Sequence, residues 1–434
     1  MWRKRGRFYD RITTMNIFQK RLRSGAVTLL LLLASMALAF LVLEFGLRLA
    51  LFGSLQWRQS GHLPFIRVPH SELGWLPAPN QVAAEEALEY QHLTTTNSKG
   101  LRDTHRAYEK PSGAYRIVVL GDSYMEATHV PEGEGFPQVL EALLAARNVE
   151  VINLGVGGYA TTAAWLYLRS EGMKYEPDLV LLGFYAENDV HGNSPELSRL
   201  FWGEDNIRYY GQPYALWDSD NESFEIRAPD YERSYAGYQE RLAAYSPRLY
   251  QLDALRKSLT SHLFQQMRLQ LYTRVRPPGY DVNIHFGCYL TNFSHVPEDS
   301  EPGPDAYQEL WDDAWAITKQ QIAAINDTAR KQGVHFAFFN APARIQFESR
   351  YQEAVVERFP ALSLDVDLPE RRLGAFAARE NIPFVDISPP FREADAAGRV
   401  VNYNHDSHWN AAGHRLAATA VVAWLDEENL LPKP

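Results

Sequence analysis

The sequence Arg-Ile-Val-Val-Leu-Gly-Asp-Ser at residues 116–123 decides the fold. Its apolar, largely β-branched run stops at Gly121, a pattern typical of a buried strand that ends in a turn. Ser123 therefore lies just beyond the carboxyl end of a strand, where open α/β sheets bind their ligands. The Gly-Asp-Ser tripeptide alone fits a simple turn as well as it fits a nucleophile, so the remaining sequence has to distinguish the two.

Four further apolar runs follow, separated by stretches with helical periodicity. The runs lie at 149–153, 179–184, 335–340 and 383–387, and the predicted helices at 136–146, 160–173, 309–332, 368–380 and 410–425. Alternating strands and helices with nearly continuous apolar strands indicate a parallel sheet covered on both faces. We therefore expect a single three-layer α/β/α sandwich with five parallel strands.

The N-terminal region carries a membrane signal. Residues 25–43 hold no charge and would form a helix about 28 Å long, close to the hydrocarbon thickness of a bilayer. The basic tail 1–24 contains eight Lys and Arg residues against Asp10, so the positive-inside rule predicts a cytoplasmic N-terminus and an extracytoplasmic body. A signal peptide cleaved near Ala37-Leu38-Ala39 is the alternative, but apolar residues continue beyond it and favour an uncleaved anchor over 25–53.

The rest of the chain divides into three parts. Residues 54–110 are rich in Pro, Gly, His and Asn and are predicted to be a linker and lead-in. Residues 111–430 form the α/β domain, interrupted after its third strand by an insertion at about 190–305. That insertion is rich in aromatic residues, which would either stack on sugar rings as a cap or form a small core of their own.

Composition excludes several classes of protein. The chain has 434 residues, of which 46% are apolar, so it is not a disordered protein. Its net charge is −10 despite the basic tail, and such an acidic body argues against nucleic acid as a partner. Its one cysteine, Cys288, allows neither an intramolecular disulfide nor a cysteine-based zinc site. No cofactor is indicated, and oligomeric state has no signature in the sequence.

Polar residues follow most of the predicted strands. The second strand leads into the glycine-rich stretch 153–159, the third into Ala186-Glu-Asn-Asp, and the fifth into the loop 404–410. Because the carboxyl ends of parallel strands share one edge, these residues are expected to converge near Ser123.

Their chemistry is that of acyl transfer. A serine hydroxyl becomes nucleophilic when a histidine removes its proton, and the histidine needs a carboxylate to fix its tautomer. His408 and Asp406 supply both groups. The Ser123 N–H, the Gly158 N–H and the Asn188 side-chain amide are suitable donors for an oxyanion hole.

The other titratable residues have alternative interpretations. His405, Asp406, His408 and His414 could bind zinc, but a metal site would leave Ser123, Gly158 and Asn188 without a role. His414 is predicted to be a surface or packing residue, and His129 a loop residue. Structural roles are predicted for Glu126 and for Asp189, which would brace the Asn188 loop. We therefore expect no metal.

These motifs resemble those of the SGNH (GDSL-type) hydrolases over about residues 95–425. Gly121-Asp122-Ser123 resembles the nucleophile block of that family, Gly158 its oxyanion glycine, Asn188-Asp189 its Asn-Asp block and His408 its base. The resemblance implies a flavodoxin-like strand order, with the first and third strands flanking the switch point. Many members place the acid three residues before the histidine. Here Asp406 stands two before it, as in the branch that includes alginate O-acetylation proteins.

The sequence thus predicts a membrane-anchored serine ester hydrolase. Its substrate would be an O-acyl ester, of a cell-envelope glycan or lipid, cleaved through an acyl-enzyme on Ser123 outside the cytoplasmic membrane. An O-acyltransferase that uses the same residues with a sugar acceptor is one alternative. A non-catalytic glycan-binding protein on the same fold is another, because fold does not fix function.

Overall fold

The computed structural model describes residues 27–46, 63–64, 66–87, 89–218, 221, 223–244, 282–404 and 406–433. Its strands are β1 Leu63–Pro64, β2 Arg67–His70, β3 Gly74–Pro77, β4 Val82–Glu86, β5 Gln91–Thr95, β6 Tyr115–Gly121, β7 Val149–Gly155, β8 Leu179–Phe184, β9 Tyr214–Asp218, β10 Ser223–Arg227, β11 His335–Asn340 and β12 Phe384–Asp386. Its helices are α1 Val27–Gly46, α2 Ser123–Glu126, α3 Phe136–Leu144, α4 Thr161–Ser170, α5 Ala186–Asn193, α6 Pro195–Trp202, α7 Ile207–Tyr210, α8 Tyr231–Ala244, α9 Val282–His285, α10 Pro304–Arg330, α11 Arg344–Phe347, α12 Ser349–Arg358, α13 Leu368–Glu380, α14 Ser388–Ala396 and α15 Ala411–Glu427.

The chain divides into two units. The first comprises residues 1–58 and 247–277, and its described part is helix α1. This helix has 20 residues and a mean hydropathy of 2.4, so it is long and apolar enough to cross a membrane. The second unit, residues 59–246 and 278–434, contains all the other described elements.

A five-stranded sheet in the order β12-β11-β8-β6-β7 organises the second unit, and every neighbouring pair in it is parallel. By order along the chain this is 2-1-3-4-5, the flavodoxin-like order that the resemblance implied. The predicted α/β/α sandwich is therefore confirmed. The switch point lies between β6 and β8, and both strands are buried along most of their length. Helices α3 and α15 pack together, while α10 packs on α4 and α5.

The lead-in contains more regular structure than the sequence predicted. Strands β1, β4 and β5 form a small sheet, and β2 pairs with β3 in an antiparallel hairpin. The proline-rich composition limits each of these strands to five residues or fewer, which is why no sustained period was visible. In the insertion, β9 and β10 form an antiparallel hairpin and α8 packs on β2.

Candidate active site

The turn after β6 places Ser123 at the switch point. Gly121 lies between Gly155 of β7 and Gly183 of β8 in the sheet register, so three adjacent strands carry a glycine at one level. The Met125 side chain lies over this row: a Cβ on Gly121 would come within 2.5 Å of Met125 Cγ. The glycines therefore let helix α2 sit directly on the end of the sheet, with Ser123 as its first residue.

Asp122 connects the nucleophile turn to the third strand. Its Oδ1 accepts a hydrogen bond from the Tyr124 N–H at 2.9 Å, which caps α2. Its Oδ2 accepts a bond from the Asn188 side-chain amide at 2.5 Å. Burial raises the pKa of Asp122. Asp122 thus fixes the orientation of the Asn188 amide, a role that no pattern in the sequence indicates.

Ser123, His408 and Asp406 form a continuous hydrogen-bonded chain. Ser123 Oγ lies 2.8 Å from His408 Nε2, and His408 Nδ1 contacts Asp406 Oδ1. The same Oδ1 accepts the backbone N–H of His408 at 3.0 Å. Since Asp406 accepts through Oδ1, the ring proton of His408 resides on Nδ1, and Nε2 is free to accept the Ser123 proton.

The lead-in holds the acid end of this chain. Tyr90 O–H donates to Asp406 Oδ2 at 3.1 Å, and the backbone N–H of Asp406 donates to Glu89 at 3.3 Å. Partial burial alone would raise the pKa of Asp406, but the hydrogen bonds from the ring and the backbone N–H of His408 hold it well below its ordinary value. Asp406 is therefore an ionised carboxylate throughout the physiological pH range.

His129 stacks on the ring of His408. The two ring centroids are 3.5 Å apart and the planes differ by 16°. His129 is 9% exposed, and burial together with His408 lowers its pKa well below the ordinary value. Its loop is held by Arg102, which donates to the carbonyl oxygens of Glu126 at 3.3 Å and Val130 at 2.7 Å. A neutral imidazole thus covers one face of His408.

The glycine-rich loop after β7 is held by side chains from two directions. Glu126 Oε2 accepts the Gly157 N–H at 2.8 Å and also contacts the Arg67 guanidinium. The indole N–H of Trp75 donates to the Gly157 carbonyl at 3.1 Å. Gly158 has φ +82°, a conformation that favours glycine, and a Cβ there would lie 3.2 Å from the Trp75 ring.

A cavity of about 390 Å³ opens over these residues. Ser123, His408, Gly158 and Asn188 line it, whereas Asp406 lies behind His408. The remaining wall combines rings and charges: Arg67, Glu85, His129, Glu187, His191, Phe201, Trp202, Arg208 and His285. Burial, with a contribution from Glu126, raises the pKa of Glu85 to about 7. Aromatic rings and carboxylate side chains thus stand side by side in the cavity wall.

Four of the predicted site residues line this cavity and Asp406 lies behind them. Four neighbouring residues have no signal in the sequence. Glu85, Glu89, Tyr90 and Arg67 belong to the lead-in, whose short strands give no periodic signal. His129 lies in a turn, as predicted, and it is also buried against the ring of His408. Asp189 accepts the Tyr185 backbone N–H at 2.8 Å and the Thr161 hydroxyl at 2.7 Å, as a bracing role requires.

The geometry does not favour the metal alternative. His129, Asp406 and His408 bring their ligand atoms within 4.8 Å of one another. However, both ring nitrogens of His408 are already engaged, Nδ1 with Asp406 and Nε2 with Ser123. His414 is fully buried, not at the surface, and its Nδ1 accepts the Phe136 N–H at 3.2 Å. His405 lies outside the described residues.

Comparison with known proteins agrees with the family resemblance. Residues 306–433 match a family model described as the SGNH hydrolase-like domain of acetyltransferase AlgX. Over these residues the match confirms the predicted resemblance to SGNH hydrolases and to their alginate O-acetylation branch, and it supports an enzyme that acts on ester bonds. No curated protein matches the sequence.

Several solved structures show distant similarity. The acetyl xylan esterase AlAXEase is 10% identical, with a TM-score of 0.35 over 71% of this chain and 98% of that chain. A catalytic mutant of Axe2, an acetylxylan esterase from Geobacillus stearothermophilus, is 12% identical, with a TM-score of 0.36 over 73% and 96%. A member of the lipolytic G-D-S-L family from Veillonella parvula is 14% identical, with a TM-score of 0.34 over 71% and 97%. With scores this low, the fold assignment rests on the strand order.

Proposed function

We propose that this protein is a serine acylesterase whose acyl-enzyme forms on Ser123. The observation that carries the proposal is the 2.8 Å contact between Ser123 Oγ and His408 Nε2, with the tautomer of His408 fixed by Asp406. A serine, a correctly oriented base and an ionised carboxylate are the groups that nucleophilic acyl transfer needs.

The first half-reaction forms the acyl-enzyme. Ser123 Oγ attacks the acyl carbon while its proton passes to His408 Nε2, and Asp406 stabilises the resulting imidazolium. The oxyanion of the tetrahedral intermediate accepts hydrogen bonds from the Ser123 N–H, the Gly158 N–H and the Asn188 amide. When the intermediate collapses, the leaving alcohol takes the proton from His408. In the second half-reaction His408 activates water, which releases the acid and restores Ser123.

The substrate is an O-acyl ester of a cell-envelope glycan. The supporting observation is the composition of the cavity wall, in which the Phe201 and Trp202 rings stand beside Glu85 and Glu187. Aromatic faces pack on the apolar faces of sugar rings, and carboxylates accept bonds from hydroxyl groups. Helix α1 anchors the chain, with the basic tail in the cytoplasm and the catalytic unit outside the membrane.

An O-acyltransferase is the second candidate. The family match favours it, because the matched model is described as an acetyltransferase. The acyl-enzyme would then be resolved by a sugar hydroxyl in place of water, and the cavity would have to exclude water. Mass spectrometry of a glycan incubated with the enzyme and p-nitrophenyl acetate separates the two: transfer adds acetyl mass to the sugar, whereas hydrolysis yields free acetate alone.

The decisive experiment uses the purified full-length chain and its Ser123→Ala variant. Wild type should hydrolyse p-nitrophenyl acetate and react with a fluorophosphonate probe, with peptide mapping locating the label on Ser123. The matched control is Ser170→Ala, since that hydroxyl donates to the carbonyl of Leu166 in its own helix and should not affect the rate. Sugar binding that survives Ser123→Ala, together with no labelling of wild type, would instead support a glycan-binding protein.

A further inference from the structure

We infer that Glu126 and Arg67 position the oxyanion loop, so that the lead-in hairpin β2–β3 is part of the active site. The inference rests on the proposed function, because it concerns how the Gly158 N–H is held for the reaction at Ser123. Glu126 accepts the Gly157 N–H and pairs with Arg67, so both residues act through Gly157.

Glu126 joins the nucleophile helix to the glycine-rich loop. This residue ends helix α2, three positions after Ser123, and its side chain is fully buried. Isolated carboxylates are rarely buried without charged or hydrogen-bonding partners. Here Oε2 accepts the Gly157 N–H at 2.8 Å and pairs with the guanidinium of Arg67. The nucleophile helix and the glycine loop are therefore joined through one charged group.

Trp75 holds Gly157 from the side opposite Glu126. The Trp75 indole N–H donates to the Gly157 carbonyl at 3.1 Å, while the Trp75 carbonyl accepts the Tyr159 hydroxyl at 2.5 Å. Gly157 thus has its N–H fixed by Glu126 and its C=O fixed by Trp75. The peptide that follows carries the Gly158 N–H, whose direction is set by these two contacts and by the φ of +82° at Gly158.

Gly157 is also closely packed. A Cβ added there would lie 2.4 Å from an Arg67 guanidinium nitrogen and 2.7 Å from Glu126 Oε2. The ion pair therefore occupies the space where any other residue would carry its side chain. Arg67 belongs to β2 and Trp75 to β3. These two strands pair in antiparallel fashion, with Val68 opposite Leu76. One hairpin thus supplies both contacts.

These observations give a catalytic consequence. A displaced oxyanion donor weakens binding of the tetrahedral intermediate but not of the ground-state ester, so kcat should fall while KM stays constant. Glu126→Gln retains an acceptor for Gly157 but loses the charge that pairs with Arg67. We expect kcat/KM to fall by about 10- to 100-fold, less than the loss of a whole donor. Trp75→Phe should cost about fivefold, the effect of one neutral hydrogen bond.

The test measures p-nitrophenyl acetate kinetics and methylboronic acid affinity for the full-length variants Glu126→Gln, Arg67→Met and Trp75→Phe. The Ser123 oxygen adds to boron, its proton passes to His408, and one boron oxygen takes the oxyanion position. A loop-positioning role predicts that boronate affinity and kcat/KM fall by the same factor in each variant. The matched control is Trp217→Phe, a half-exposed indole in the β9–β10 hairpin, which should leave both quantities unchanged.

Two results would overturn the inference. The first is boronate affinity within twofold of wild type in a folded Glu126→Gln protein, with thermal unfolding and circular dichroism establishing the fold. If that variant does not fold, the same threshold applies to Arg67→Met and Trp75→Phe. The second is esterase activity of the Ser123→Ala variant equal to that of the wild type. That result would overturn the proposed function, and the positioning role with it.

Discussion

Replacing Asp406 with Asn tests the charge in the triad separately from its geometry. Asp406 Oδ1 accepts two bonds from His408, one from ring Nδ1 and one from the backbone N–H at 3.0 Å. If the NH2 group of Asn took the place of Oδ1, it would face the backbone N–H of His408, which is also a donor. The Asn side chain is therefore expected to place its oxygen at this position. The tautomer of His408 is then preserved, and the variant loses the negative charge alone.

The magnitude follows from Coulomb's law. Two unit charges about 4 Å apart interact by about 4 kcal/mol at an effective dielectric constant of about 20. Because about 1.4 kcal/mol corresponds to a tenfold change in rate, Asp406→Asn should lower kcat/KM by roughly a thousandfold. Tyr90→Phe removes a single hydrogen bond to Asp406 Oδ2 and should cost about fivefold.

The assay is p-nitrophenyl acetate hydrolysis from pH 5 to 9 by the wild type and both variants. The pKa of Asp406 lies well below this window, so the wild-type carboxylate is ionised at every pH tested. A loss smaller than tenfold at pH 8 to 9 would refute the assignment of Asp406 as the ionised triad acid.

Three further outcomes are expected. Gly158→Ala forces a side chain into φ +82° and toward the Trp75 ring, so esterase activity should fall at least tenfold while calorimetry shows only a small loss of stability. His129→Ala removes the ring stacked on His408 and should lower kcat up to tenfold, whereas His129→Phe should restore most of it; equal losses would exclude stacking as the cause. Glu85 has a folded pKa of about 7 against 4.5 for the free group, so it destabilises the fold as pH rises from 4.5 to 7. Chemical denaturation should show that the free energy of unfolding falls less between pH 5 and pH 8 in Glu85→Gln than in the wild type.

Much of the fold is determined by short-range pattern. Apolar runs such as 179–184 are buried on both faces, so nearly every residue must be hydrophobic, and the observed strand Leu179–Phe184 matches the prediction. Helix α13 at Leu368–Glu380 also matches, because its buried positions recur with helical period. Where the period is absent, prediction fails: the lead-in strands are too short to display one.

The candidate site divides in the same way. Ser123, Asn188 and His408 follow strands or precede a helix, so their place at one edge follows from parallel topology. His129 gives no such signal, because its stacking on His408 joins residues far apart in the sequence. Two aromatic residues of the insertion differ in their surroundings: Tyr214 is buried, whereas Trp202 lines the cavity.

The sequence by itself determined the sheet, the membrane-length helix and the residue types at the strand ends, since each depends on neighbouring residues and their periodicity. Only the tertiary structure decided what surrounds Ser123. The ion pair between Arg67 and Glu126, the bond from Tyr90 to Asp406 and the ring of His129 all join distant segments. Buried charges and rings are stabilised by partners that the fold alone brings within reach, and no local pattern encodes which partners those will be.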